Sequence, residues 1–203
     1  QQNVRGTWEE EYKGVWHLKE TPASIQPDFL DSTSQSNDAS STGAMLATDQ
    51  QGGKVDGALN FDGTNDYLNA NDNASLDFGD TDDMTLSGWF NRDLFAADHT
   101  VLAKKTDQTT AAGYLMWIDD SVDDLRFSIA DGTDDFILDS VTTFAAIGWT
   151  HFAVTWDDGC TAGSTADRTE IYINGSDNAA TDDATACSLI GSVANAIPFR
   201  IGA

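Results

Sequence analysis

Basic residues are scarce in this chain. Its 203 residues include 10 lysines and arginines against 34 aspartates and glutamates, which gives a formal net charge of -24. Such a surface repels phosphate backbones and anionic membranes, so the composition argues against nucleic-acid binding. The excess charge also costs self-repulsion, which salt or divalent cations relieve. A salty, calcium-containing medium fits this balance, and so does the plain solubility of an exported acidic domain.

Long apolar runs are absent as well. No stretch approaches the roughly 20 apolar residues of a membrane span, and the first residues, QQNVRGTWEEEY, lack the basic and apolar regions of a signal peptide. We therefore expect no membrane insertion, and a chain that is mature or a fragment. The 40% of hydrophobic residues is sufficient for one main core.

Cysteine and histidine are scarce in this chain, which has two and three of them respectively. Cys160 and Cys187 flank one strand-like segment, so a disulfide between them is expected if the chain is exported, and two buried free thiols are the alternative. The histidines His17, His99 and His151 show no paired ligand spacing, which argues against a zinc site. His17 and His151 lie within apolar segments and are predicted to be core or half-core residues.

Helical periodicity is missing too, and what the chain contains instead is short β-prone segments. Clusters of Asp, Gly, Ser, Thr and Asn, which favour turns, separate these segments. The pattern predicts an all-β protein. The predicted strands are GVWHLK, ALNF, MTLSGWF, TVLAKK, GYLMWI, LRFSIADG, DFILDS, WTHFAVTW, RTEIYING and PFRIGA.

Residue patterns in three of these segments indicate their surroundings. In the first two the pattern is alternation, because successive side chains of a strand point to opposite faces. In LRFSIAD the apolar and polar residues alternate, which predicts a strand that covers a core on one side only. In HFAVTW both faces are fairly apolar, which predicts a central strand. RTEIYING ends in Asn174-Gly175, a signal for a two-residue type I′ hairpin followed directly by its partner strand.

The organisation of the chain is predicted from its polar stretches. The long, small-residue-rich segment from Thr21 to Lys54 is interpreted as a surface connection that leads into the Ala58 strand. Residues 1–12 are interpreted as the stub of a preceding domain or linker, and residues 13–203 as the domain itself.

In order, eight of the segments resemble the successive strands of laminin-G-like domains of the concanavalin A-like lectin and glucanase superfamily. The resemblance implies a two-sheet antiparallel jelly-roll sandwich over nearly the whole chain, from Gly14. The N-terminal stub looks like the junction after an N-terminal domain in large bacterial surface proteins. The segments are GVWHLKE, GGKVDGALNFDGTNDYL, MTLSGWFNRD, GYLMWI, LRFSIADG, GWTHFAVTWDDG, EIYINGS and FRIGA.

The chain departs from the family pattern at its end. Family members continue beyond FRIGA with a loop and a closing strand that pairs near the VWHL segment, and here nothing follows Ala203. We expect a truncated environmental sequence or a trimmed chain. The unpaired edge of the GVWHL strand would favour an edge-strand dimer.

The turn FDGTNDY is a candidate calcium site. The resemblance implies that the equivalent turn often helps to hold calcium, and Asp62, Asn65 and Asp66 offer three side-chain oxygens. The alternative is a plain turn whose side chains cap their own backbone. The other acidic runs lack the Gly and Glu positions of an EF-hand loop and are interpreted as solvated loops.

The few glutamates argue against hydrolysis. Glucanases of the superfamily carry several acidic residues on one strand, whereas this chain has only Glu9, Glu10, Glu11, Glu20 and Glu170. No strand presents two carboxyls that could flank a glycosidic bond. We expect a chain that is not an enzyme, and a degenerate glycosidase or lyase domain is the weakest alternative.

Aromatic side chains could form a sugar platform, since rings stack on the apolar faces of pyranoses. Tyr114, Trp117 and Tyr172 are candidates because each lies in a strand next to a polar loop. The alternative is that all of them are packing residues. Trp89, Trp149 and Trp156 match core positions of the family.

Together, these observations predict a noncatalytic module, extracellular or on the cell surface, that binds a glycan or an extracellular protein, with calcium as a possible cofactor. The alternative is a structural spacer in a large adhesin. Lectin-like sandwiches host many specificities through variation of their loops, so the fold does not identify the ligand.

Overall fold

The computed structural model describes residues 7–23, 25–42, 45–79, 81–92, 97–144, 148–157, 169–178 and 191–202. Thirteen β-strands and two single 3-10 turns, Ala47–Asp49 and Ala74–Leu76, make up the regular structure of these residues, and the strands pair antiparallel within each of the two units described below. The predicted all-β class is confirmed. Within the same residues no helix is long and apolar enough to cross a bilayer.

The strands follow one another along the whole chain. They are β1 (Ala39–Thr42), β2 (Gln50–Gly52), β3 (Gly57–Leu59), β4 (Tyr67–Ala70), β5 (Met84–Asn91), β6 (His99–Lys104), β7 (Gly113–Asp119), β8 (Asp124–Ala130), β9 (Asp135–Thr143), β10 (Trp149–Trp156), β11 (Glu170–Ile173), β12 (Ser176–Asp177) and β13 (Phe199–Ile201).

The chain divides into two compact units. The first comprises Gln1–Leu76 with Ala196–Ala203, and the second comprises Asp77–Asn195. In the first unit β4 lies between β1 and β13, and β2 pairs with β3 in a separate two-stranded ladder. Leu68 on β4 is fully buried, which places the centre of this small core beneath the middle strand.

The segment from Thr21 to Lys54 is more ordered than predicted. It contains β1, β2 and the fully buried Phe29, whose backbone exchanges hydrogen bonds of 3.0 and 2.8 Å with Ala39. The buried Asp31 carboxylate accepts hydrogen bonds from the backbone N–H groups of Val15, Thr33 and Asn37. The polar side chains thus satisfy backbone groups that a regular ladder would otherwise pair. The prediction of a purely surface connection is wrong.

The predicted GVWHLK strand is also wrong. This stretch forms only one isolated bridge, Trp16 with Asp31, and the Trp16 ring stacks on Phe199 with centroids 5.2 Å apart. Side-chain packing and capping by Asp31 hold it, so it joins no ladder within the described residues. The edge-strand dimer was predicted from an unpaired ladder edge here, and that premise does not hold.

The second unit is a sandwich of two antiparallel sheets. One sheet has the order β6-β7-β8-β9, and the other has the order β12-β11-β10-β5. Their inner faces meet where the rings of Phe136 and Trp156 lie 5.5 Å apart, and Phe90 packs against Phe144 at 5.3 Å. The predicted two-sheet antiparallel sandwich is confirmed in this unit. Its core includes Met116, Phe127, Leu125, Val154 and Ile171.

Two local predictions in this unit are confirmed. β10 is a central strand, since β11 and β5 pair with its two edges. Asn174 and Gly175 have φ angles of 52° and 79°, and Ile173 pairs with Ser176 across them. Positive φ at both central residues defines the type I′ hairpin, whose twist matches that of the strands.

The one-sided burial predicted for β8 is wrong. Ser128, on the face opposite Phe127, is fully buried and accepts a hydrogen bond of 2.7 Å from Lys105 Nζ. Burial lowers the pKa of Lys105. This face therefore holds polar groups that are matched to one another, and alternation of polar residues did not reveal that they are covered.

Candidate functional site

The turn between β3 and β4 is built by Asp62. Its Oδ1 accepts hydrogen bonds from the backbone N–H groups of Thr64 at 2.8 Å and Asn65 at 3.2 Å, while Gly63 has a φ of 70°. These backbone hydrogen bonds lower the pKa of Asp62. Asp62 thus caps its own turn, which is the role that the plain-turn alternative gives it.

Asp66 lies at the other end of the same turn, directly before β4, and is buried. The residue is 7% exposed; its Oδ2 accepts a hydrogen bond of 3.3 Å from the Asp62 N–H, and its Oδ1 is buried without a hydrogen-bond partner. A buried carboxylate oxygen without a partner is costly, so it is available to a cation or a water. Asn65, the third predicted ligand, is exposed. No group of three or more His, Cys, Asp or Glu side chains able to hold a metal occurs among the residues described.

Two of the three predicted platform residues belong to buried structure. Tyr114 and Trp117 on β7 are 1% and 2% exposed. The Tyr114 ring packs edge-on against Phe78 at 5.5 Å, and burial, with the charge of Asp77, raises its pKa strongly. β7 is flanked by β6 and β8 and is covered on both faces, so neither ring offers a face to a sugar. For these two residues the packing alternative holds.

Tyr172, the third candidate, lies on a partly exposed sheet face. On β11 it is directly opposite Ala153 on one side and Asp177 on the other, and its hydroxyl donates to Glu170 Oε2. That hydrogen bond raises the pKa of Tyr172. The ring is half-buried and therefore keeps an accessible part.

The same face carries an exposed tryptophan that was assigned to the core by its family position. Trp89 on β5 is 42% exposed, and its ring meets that of His151 on β10 edge-on at 5.1 Å. The two residues are directly opposite in the ladder. Trp156, in contrast, is buried as predicted. Alternation in MTLSGWFN could have identified Trp89, because it shares its face with Thr85, Ser87 and Asn91.

We name this surface the outer face. It consists of Trp89 and Ser87 on β5, His151 and Ala153 on β10, and Tyr172 on β11. Small residues separate Trp89 from Tyr172, so the two rings stand about 12 Å apart if strand spacing and rise are regular. The face can therefore present two aromatic contacts to one extended molecule.

The remaining predicted residues are placed as follows. His17 is half-buried, with its Nδ1 3.6 Å from Asp56 Oδ2, and His151 is half-buried beside Trp89, in accord with the prediction of half-core roles. Cys160 and Cys187 lie outside the described residues, so the disulfide stays a prediction.

The fold defines a class of all-β sandwich domains that serve as binding or structural modules. A sequence profile of a laminin-G family, described as the concanavalin A-like lectin/glucanases superfamily, matches residues 62–203. The chain belongs to this family. Laminin-G-like domains bind glycans or proteins and are usually extracellular. A comparison with curated proteins found no match.

Proposed function

We propose that this domain is a noncatalytic, extracellular carbohydrate-binding module that holds its glycan on the outer face. The observation that supports this most is Trp89, a large aromatic side chain 42% exposed on the outer face. Aromatic rings supply rigid, amphipathic contact area to pyranoses. Nearby polar groups of Glu170, Asn91 and Asp177 supply hydrogen-bond partners, which fix orientation in binding sites.

The spacing of the aromatic contacts favours an oligosaccharide over a single sugar. Trp89 and Tyr172 lie on strands that are separated by β10. At this distance a single pyranose cannot contact the two rings at the same time. The small side chains of Ser87 and Ala153 leave room for sugar units between them. The carboxylates of Glu170 and Asp177 disfavour anionic glycans at this end of the face.

Glycan-array binding tests this proposal. Trp89→Ala should abolish binding, and Tyr172→Ala should weaken it about tenfold or more, because each removes a stacking contact. Val141→Ala is the matched control, since Val141 is an apolar residue 64% exposed on β9 of the other sheet. Silence of folded wild-type protein on the whole array would refute the proposal and favour the structural-spacer alternative.

Calcium is proposed as a structural cofactor at the β3–β4 turn. Asp66 would provide the principal ligand through its unpartnered Oδ1, with Asp62 and Asn65 as further oxygen donors. The chemistry of the donor set fits calcium, which prefers carboxylate and amide oxygens. Bound calcium would fix the turn that leads into β4. Three side chains are fewer than calcium's usual six to eight ligands, so we expect weak, millimolar binding.

Thermal unfolding tests the calcium proposal. Millimolar calcium should raise the melting temperature of the wild type by a few degrees, because a ligand that binds only the folded state stabilises it. Magnesium at equal concentration is the control for charge screening, and Asp66→Asn should remove the difference between the two ions. Equal shifts with both ions in the wild type would show screening alone and refute a specific site.

A further inference from the structure

The hairpin between β11 and β12 contains the one Asn-Gly pair of the chain. Asn174 is followed by Gly175, and no other asparagine of the sequence precedes a glycine. Both residues are exposed, with φ angles of 52° and 79°. The type I′ turn requires positive φ at both positions, which favours this pair. The pair also places a side-chain amide beside a backbone nitrogen that no side chain of its own residue shields.

Gly175 leaves its backbone nitrogen accessible to the carboxamide of Asn174. A Cβ atom at Gly175 would have no atom within 4 Å apart from its chain neighbours, so the space around the residue is open. Glycine also allows the peptide to rotate at little steric cost. Attack of this nitrogen on Asn174 Cγ closes a five-membered ring, and such an intramolecular reaction is strongly favoured over attack by a separate molecule.

The backbone of His151 holds the Asn174 carboxamide. The His151 N–H donates a hydrogen bond of 3.1 Å to Asn174 Oδ1, and the Asn174 N–H donates one of 2.9 Å to the His151 carbonyl. Negative charge develops on Oδ1 when a nucleophile adds to Cγ, and a backbone donor at that oxygen stabilises it. The contact that orients this side chain therefore also activates its carbonyl group.

The end of the hairpin is a short strand that can open locally. β12 has two residues, both exposed, and it is the terminal strand in the described order of its sheet. Its ladder consists of Tyr172 with Asp177 and Ile173 with Ser176. Exposed elements with few contacts open at a low free energy compared with global unfolding. The rotation of the Gly175 peptide that ring closure needs therefore leaves the sandwich core folded.

We propose that Asn174 is a site of spontaneous deamidation, a covalent modification that needs only water. The Gly175 nitrogen loses its proton and bonds to Asn174 Cγ, the Cγ–Nδ2 bond breaks, and ammonia leaves with that proton. Water then opens the cyclic imide. Cleavage of the new bond gives aspartate, whereas cleavage of the original peptide bond gives isoaspartate, in which the main chain runs through Cβ and Cγ. Both products carry a carboxylate in place of the amide.

Isoaspartate lengthens the turn by one backbone atom. A two-residue turn fixes the register of its strands, so Ile173 no longer pairs with Ser176, nor Tyr172 with Asp177. Tyr172 belongs to the outer face, and its displacement should weaken glycan binding as the protein ages. This last consequence rests on the proposed function, whereas the reaction itself does not.

Peptide mapping by mass spectrometry tests the reaction. Folded protein is kept for weeks at about 37 °C and about pH 8.5, and the rate should rise with pH because the Gly175 nitrogen must lose its proton. The peptide that contains Asn174 should gain about 1 Da, in two products that chromatography separates.

Asn73 is the internal control for this reaction. It is exposed, and its Oδ1 accepts a backbone hydrogen bond of 3.0 Å from Ser75, but Ala74 follows it. Asn73 should react at least about tenfold more slowly than Asn174, because the Cβ atom of Ala74 hinders the attacking nitrogen.

Two variants test the mechanism and its consequence. Gly175→Ala should slow the reaction about tenfold, because it adds a Cβ beside the nucleophile. Asn174→Gly removes the carboxamide, and glycine tolerates the positive φ of the turn. On ageing, the backbone amide signals of Tyr172 and Ser176 should change in the wild type and stay constant in Asn174→Gly.

Three results would overturn the proposal. They are an Asn174 peptide that keeps its mass in folded protein but deamidates in urea, equal rates at Asn174 and Asn73, and isoaspartate that accumulates without altering the β12 signals. A mass gain confined to Asn174, in protein that is silent on the glycan array even when fresh, would support the modification site while the proposed function fails.

Discussion

At the scale of single residues, two carboxylates that contact Arg126 have pKa values shifted in opposite directions by their other surroundings. A hydrogen bond from the Ser121 hydroxyl, with backbone hydrogen bonds and the charge of Arg126, lowers the pKa of Asp119. Burial raises the pKa of Asp139, and the nearby Asp124 and Asp119 add to this effect, so the attraction of Arg126 is outweighed. Neighbouring carboxylates of one cluster thus contribute to stability with opposite sign.

Replacing these two carboxylates should change stability in opposite directions. Asp119→Asn should destabilise the protein at pH 7 by about 0.5 kcal/mol, because a lowered pKa means that the ionised form stabilises the fold above about pH 4. That contribution is lost as the pH falls through the lowered pKa. Asp139→Asn should stabilise the protein, because burial disfavours the ionised form of this carboxylate. The gain should be a few tenths of a kcal/mol only, since solvent screens a partly exposed side chain.

Urea unfolding at pH 7 and at about pH 4 or below measures both changes. The gain from Asp139→Asn should disappear at the lower pH, because a raised pKa means that the folded state is already protonated there. A gain that persists in acid, or a loss from both variants at pH 7, would contradict the assignment of opposite roles.

At the scale of elements, the start of β7 depends on a close backbone approach. Gly113 has a φ of 131°, and a Cβ atom there would lie 2.0 Å from the Lys104 carbonyl oxygen and 2.8 Å from Asn195 Nδ2. The Asn195 side chain also donates to the Lys104 carbonyl at 3.0 Å. β6, β7 and the segment around Asn195 therefore meet at one point that has no room for a side chain.

Gly113→Ala should destabilise the protein by about 3 kcal/mol or more, because strain and a backbone clash add. Gly132→Ala is the matched control: Gly132 has a φ of 99°, but the nearest atom to its Cβ would be 3.9 Å away. Strain alone should cost it about 1 kcal/mol. Denaturant unfolding compares the two, and equal losses would show that the close approach at β7 is unimportant.

At the scale of the whole molecule, charge is the dominant feature. A net charge of -24 with 34 acidic residues means that repulsion opposes compaction at neutral pH. Acidic side chains of the described loops accept hydrogen bonds from nearby backbone N–H groups. Asp131, for example, accepts them from Asp134, Gly191 and Thr133, and these hydrogen bonds lower its pKa. Such hydrogen bonds stabilise individual turns, but they do not reduce the long-range repulsion among the carboxylates.

Salt should therefore stabilise the protein. Between about 10 mM and about 1 M sodium chloride the Debye length falls from about 30 to about 3 Å, and we expect the melting temperature to rise by several degrees. Potassium chloride should act equally, because screening depends on ionic strength. A melting temperature that falls with salt would show that attractive ion pairs, such as those of Arg126, outweigh the repulsion.

The sequence by itself determined the all-β class, most strands of the second unit, the Asn174-Gly175 hairpin and the acidic surface. These follow from local chemistry, since strand propensity, turn residues and charge are read within a few residues. It also indicated that Asp62 forms a turn, because Asp-Gly pairs cap their own backbone.

Only the tertiary structure decided which faces are covered. Alternation separates two faces of a strand but does not say which one is buried, so Trp117 was expected near a ligand and Trp89 in the core, and the structure reverses both. Arg126 and Asp139 meet because β8 and β9 pair, and this register is a property of the sheet. The segment around Phe29 is ordered by distant partners, for which its small polar residues give no local signal.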